Sequence, residues 1–292
     1  MDPRHLLFAL IIASLVVVQL NLRLASPVLA ILNRWLRAGV ISLGLAALFQ
    51  DLAWSDRPYA VLAIIFALLW ILAETIYNWL AINALSLSPL PLFPKFTINR
   101  GGDEWPTNPR LLKTRDWLRA EGFKQVQSLK AEIGPSHHLR VSVYQDAEAK
   151  IRLQVTFLPQ ANGAVSLCAS LGSHTAAGRR YVTDNLYLPF GGFYPENWHV
   201  LRNPWFRSLP RLLKRHRDRL ARSGEIVLPW TTEPLADLNE QQQDLERINT
   251  ELGFLQPRAL REEHGKITHE GRYRVWKEIF TLGYLGRSAR YE

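Results

Sequence analysis

The chain has 292 residues, 35 Lys plus Arg against 26 Asp plus Glu, a formal net charge of +9 and 48% hydrophobic residues. Its single cysteine, Cys168, excludes an internal disulfide framework. The sequence holds no phosphate loop, no dinucleotide fingerprint, no Gly-x-Ser-x-Gly elbow and no zinc-protease histidine pair, so no cofactor or metal is implied.

Residues 1–85 read as a membrane region of two or three helices, with spans at about 6–20, 38–54 and 59–79. A helix needs about 20 mostly apolar residues to cross a bilayer core, and Tyr59 to Trp79 fits best. In the second stretch Gly39 and Gly44 suit close helix packing. Ser55-Asp56-Arg57-Pro58 is a tight polar turn, so these two stretches form a hairpin. The first stretch is read as a retained span rather than a cleaved signal, because only Arg4 gives it a basic flank and no clear cleavage pattern follows. Three Arg in the 21–37 connection, against one beside an acid at 55–58, put that connection and the C-terminal domain on the cytoplasmic side.

Glu74 is the one acid inside a span. It lies roughly 7 to 8 Å from the helix end at 1.5 Å per residue. Reaching the headgroups, or a structural pair with Arg34 or Arg37, is favoured over a transport role, which Glu74 alone would have to carry.

Residues 86–107 form a linker with prolines at 89, 91 and 94, expected to be an extended strut. Residues 108–292 are expected to form an α+β domain: a four- to five-stranded antiparallel sheet packed against helices on one face. Asn108 caps a helix to about Glu121, with Pro109 in its first turn. Period-two alternation gives strands at 139–144, 151–157, 164–171 and 180–188, after a weaker run at 125–133. Asn162-Gly163 suits a hairpin turn. The run after Pro189, rich in Gly, Pro and aromatics, reads as an irregular loop. Helices follow at 208–223, 235–252 and 269–282, the last capped by Thr268.

The helix at 208–222 is the most distinctive chemical feature. Eight basic residues and one acid, Asp218, lie between Arg202 and Arg222. Arg211, Lys214, Arg215, Arg219 and Arg222 would face an anionic lipid surface or an acidic protein partner. Positive charge alone is blind to nucleic-acid sequence and no reader motif accompanies it, so nucleic acid is disfavoured. His216 falls in the apolar stripe of that helix and reads as a core histidine.

The second candidate region is 184–199. Asp184, Asn185, Glu196 and His199 lie near Gly191-Gly192 and the aromatics Tyr187, Phe193, Tyr194 and Trp198, which would wall a ligand. Asp184, Glu196 and His199 would then be the acid–base groups of a membrane-associated enzyme. The remaining histidines do not share a face, and no metal site is expected. The favoured expectation is a non-enzymatic interaction module tethered to the bilayer, followed by the enzyme and then by a transport-related subunit.

Overall fold

The computed structural model describes residues 3–24, 26–101, 105–134, 137–159 and 165–289. The chain divides into two compact units. One comprises Met1–Ser86, Pro189–Gly191 and Arg272–Glu292; the other comprises Leu87–Leu188 and Gly192–Gly271.

The first unit is built on α1 (Pro3–Leu24), α2 (Pro27–Asp51) and α3 (Tyr59–Leu87). All three are long and apolar enough to cross a membrane. The connection expected at 21–37 is helical almost throughout, so Arg34 and Arg37 lie within α2 rather than in a loop. Pro27 suits the first turn of a helix and starts α2 at once after Ser26. Gly39 and Gly44 face Leu10 and Leu7 of α1, at 3.8 Å from where a Cβ would stand. Ser14 Oγ donates to Asn33 Oδ1 at 3.0 Å, and Arg4 meets Asp51 at 2.6 Å. Ala46, Leu62 and Phe66 bury the contact of α2 with α3, and the Tyr59 hydroxyl donates to the Leu43 carbonyl at 3.0 Å.

Among the described residues the second unit is a mixed sheet of eight strands with helices on both faces. The strands are β1 (Lys95–Ile98), β2 (Lys124–Glu132), β3 (His138–Gln145), β4 (Arg152–Pro159), β5 (Val165–Thr175), β6 (Arg180–Asp184), β7 (Trp198–Arg202) and β8 (Val227–Leu228). β1 to β6 pair antiparallel in chain order, β7 runs parallel to β6, and β8 pairs with β5. The sheet is therefore larger than the expected four or five strands and not purely antiparallel. β1 is concealed between prolines, and Asn239 holds its outer edge by bonding both backbone groups of Phe96. β7 emerges from the Gly- and Pro-rich run that reads as a loop. The expected Asn162-Gly163 turn lies outside the described residues.

The other helices are α4 (Pro109–Ala120), α5 (Leu209–Ser223), α6 (Pro234–Glu251), α7 (Arg261–His264) and α8 (His269–Phe280), which runs into a π-helical turn at Thr281–Leu285. Asn108 caps α4 by accepting from Arg110 N at 2.9 Å. Thr268 Oγ1 accepts from Gly271 N at 3.0 Å at the start of α8. Strand alternation divides the side chains between two faces. On one, Leu153, Val155, Phe157, Ala169 and Leu171 pack beneath α4 and α5. On the other, Phe96, Leu129, Val141 and Val143 pack beneath Leu238 of α6. Helices thus cover both faces instead of the one expected, because the apolar alternation of β2 and β3 leaves a second dry surface that α6 buries. The start of the linker is pinned as well: Lys266 Nζ donates to the carbonyls of Ser88, at 2.6 Å, and Leu90.

Candidate functional site

α5 is amphipathic, and its two sides have separate roles. Ser208 precedes it, Pro210 sits in its first turn, and Gly224 ends it in the left-handed conformation at φ 67°. Leu209, Leu212, Leu213, His216 and Leu220 are buried. The cations on the other side are not equivalent. Arg219 reaches the sheet edge, where Nη1 donates to Val182 O and Thr183 Oγ1 at 2.7 Å and Nη2 to His199 O at 2.8 Å. Arg217 pairs with Glu121 at 2.7 Å. Arg222 Nε donates to Asp218 O at 3.0 Å within the helix. Arg211, Lys214 and Arg215 are exposed and have no acidic partner among the described residues.

α4 extends this surface. Its Leu111 and Leu118 enter the same apolar cluster as Leu212 and Leu213, which leaves Arg110, Lys113 and Arg119 exposed, again without acidic partners among the described residues. Burial and the neighbouring Arg110 both push the Arg207 guanidinium down, so like charges crowd where the two helices begin. Trp205, just ahead of α5, is 42% exposed. Two helices on one sheet face therefore present six cations without acidic partners among the described residues, with an exposed indole just ahead of α5.

His216 lies under this layer, fully buried. Its Nε2 meets Ser173 Oγ at 3.1 Å and its Nδ1 meets Thr183 Oγ1 at 2.9 Å. Burial, reinforced by Arg219 and Arg217, pushes its pKa down to about 3. It is a neutral histidine joining α5 to β5 and β6.

The residues of the 184–199 region do not converge. Asp184 is buried; its Oδ1 accepts from Arg202 Nε at 3.2 Å and from Leu186 N at 3.1 Å. Burial raises its pKa, against the pull of Arg202. Arg202 also donates to Leu188 O at 2.9 Å and to the Tyr194 hydroxyl at 3.0 Å, tying the connection down. Asn185 accepts from Ala169 N at 2.7 Å and donates to Phe206 O at 3.0 Å, which is a structural clasp. In the parallel register Asp184 stands opposite Arg202, and Tyr181 opposite His199. His199 consequently lies on the α5 face, stacked on Tyr181 at 4.9 Å, while Asp184 is on the other face. Glu196 is exposed in the connection.

Two ionic clusters came from residues far apart in sequence. On the α6 face, Asp237 accepts from Arg152 at 2.8 Å, from Arg180, and from Gln241 at 2.9 Å. Trp230 lies beneath both guanidinium groups, at 4.2 and 5.1 Å. Asp237 is 4% and Arg152 4% exposed. No local pattern marks this trio, since its members come from β4, β6 and α6.

The other cluster is in the membrane unit. Glu74 Oε1 accepts from Arg34 Nε and Nη2, both at 2.6 Å. Its Oε2 accepts from the Tyr284 hydroxyl. Arg34 lies 4.8 Å above the Tyr284 ring, and Trp35 Nε1 donates to Tyr284 O at 3.1 Å. Both carboxylate oxygens are thus engaged by protein, as in a structural ion pair.

Among the described residues no group of three or more His, Cys, Asp or Glu is placed to hold a metal ion. Comparison of the chain with protein-family models, with curated proteins and with solved structures finds no match.

Proposed function

We propose that the protein is a membrane-anchored interaction module. The apolar helices hold it in the bilayer, its sheet domain lies on the cytoplasmic side, and the basic helical layer engages an acidic partner or anionic lipid. One observation carries the reading: Arg110, Lys113, Arg119, Arg211, Lys214 and Arg215 lie on one side of the sheet domain without acidic partners among the described residues. Unpaired cations concentrated on one surface attract anionic partners and speed encounter with them. The sided placement is supported by Arg23 at the end of α1 and by Arg34 and Arg37 in the first three turns of α2, set against the 55–58 turn with Arg57 beside Asp56.

The test is quantitative affinity purification of the full-length chain in mild detergent, wild type against Arg211→Glu/Lys214→Glu/Arg215→Glu. The module reading expects an acidic protein or anionic lipid that the wild type retains and the triple variant loses. Identical co-purifying material from both forms would defeat it.

A further inference from the structure

We infer that the occupant of the basic layer is the anionic headgroup surface of a bilayer, with Trp205 as its interfacial anchor. This inference rests on the interaction-module reading and names its partner.

Three observations favour lipid over an acidic protein. The first is proximity. A chain with three helices able to cross a membrane keeps its sheet domain beside headgroups at a fixed, high local concentration, so no separate encounter is required. The second is composition. Trp205 is 42% exposed at the start of α5 and stands two residues from Arg207, whose charge already opposes that of Arg110. An exposed indole among cations is the pairing that settles at headgroup depth, with the ring at the apolar boundary and the charges among the phosphates. The third is what α5 can offer. Its leucine stripe is buried against the sheet, so it does not enter the acyl region as a free amphipathic helix does. Contact is therefore electrostatic at headgroup level with one apolar anchor, and it must weaken with salt.

Each unpaired cation near an anionic surface changes the ratio of docked to free domain by about fivefold. Reversing three of them therefore abolishes docking over any practical range of lipid charge.

The experiment places the full-length chain, in a Cys168→Ala background, in nanodiscs of phosphatidylcholine alone or of phosphatidylcholine with roughly 30% phosphatidylglycerol, which gives an anionic headgroup surface. Nitroxides are attached through Trp205→Cys, through Thr107→Cys ahead of α4, and through Leu252→Cys after α6. Power saturation then compares their exposure to oxygen and to a water-soluble nickel chelate. Thr107→Cys keeps the indole and all six cations, so the test survives if Trp205→Cys weakens docking or folding. Expected is that the labels at 205 and 107 lose nickel exposure only in the anionic discs, that salt or the 211/214/215 charge reversal restores it, and that the label at 252 does not change. Equal nickel exposure at 205 and 107 in both lipids overturns the inference. If the charge reversal nonetheless removes an acidic protein in the purification above, the module reading stands with a protein occupant. If it removes nothing, both fall.

Discussion

Replacing Glu74 by alanine removes the carboxylate that holds Arg34 and Tyr284 together. The Arg34 and Glu74 side chains are 17% and 14% exposed, so the guanidinium left behind is largely dry. Breaking a buried pair from one side costs about 3–5 kcal/mol, much of it the unpaired charge. At roughly 2 °C per kcal/mol for a chain of this size, the midpoint in mild detergent falls by about 6–10 °C. Arg34→Met with Glu74→Leu removes both charges and returns to within about 2 kcal/mol of wild type. Gly283 supplies an independent check. A Cβ there would collide with Arg34 Nη1, so Gly283→Ala must displace the guanidinium that Glu74 holds. Its effect should be large in the wild type and small once Glu74 is alanine, because residues sharing one network are not additive. Thermal unfolding of the five forms, wild type included, in one detergent reads all of this. Additive effects of Glu74→Ala and Gly283→Ala, or a Glu74→Ala loss under about 0.5 kcal/mol, would refute the view that this ion pair secures the C-terminal turn; the expected non-additivity is about 2 kcal/mol.

Further outcomes follow from the sheet domain. Asp237→Asn removes the charge that pairs the buried Arg152 and the partly exposed Arg180 and is expected to lower stability by about 3–5 kcal/mol, read as a shifted unfolding midpoint; a loss below about 1 kcal/mol would contradict the role given to Asp237. His216 has a folded pKa of about 3, below its ordinary value of 6.5. The unfolded chain therefore binds the proton first, and the stability His216 contributes is complete above pH 6.5 and is lost as pH falls from there toward 3. The loss between pH 7 and 5 is about 2 kcal/mol, and His216→Gln should remove that share of the pH slope. The Cys168 thiol is pushed up to about 12, by burial first and Asp184 next, against Arg202. A disulfide reagent at pH 8 should find no reactive thiol in the native chain and one after denaturation; rapid native labelling would show the β5 face open to solvent.

The sequence made some elements legible and concealed others for physical reasons. α4, α5 and α6 each carry a proline in the first turn, and such local signals survive without tertiary context. β4 shows its alternation because Leu153, Val155 and Phe157 are buried while Gln154 and Thr156 on the other side are only partly so. β7 does not, because Trp198-His199-Val200-Leu201-Arg202 alternates over only five residues and its parallel partner lies across an irregular connection. The cations of α5 were equally visible, but not which were already engaged. Arg219 reads like Arg215 in the sequence, yet its guanidinium bonds the sheet edge. The four residues gathered from 184–199 are neighbours in sequence, and the strand period itself separates Asp184 from His199. Glu74 found its partner Arg34 within reach of the eye, whereas Tyr284 is 210 residues away and Asp237 is 85 residues from Arg152. Such pairs become visible only when the chain folds.

The most direct test of the central claim is native mass spectrometry of the full-length protein released from nanodiscs. Wild type is compared with Arg211→Glu/Lys214→Glu/Arg215→Glu and with Arg202→Ala. The account predicts that wild type and Arg202→Ala retain anionic phospholipid or an acidic protein and that the charge-reversed form retains neither. Retention of a small molecule that Arg202→Ala loses and the charge-reversed form keeps would contradict it and move the working surface to the face that holds Asp184.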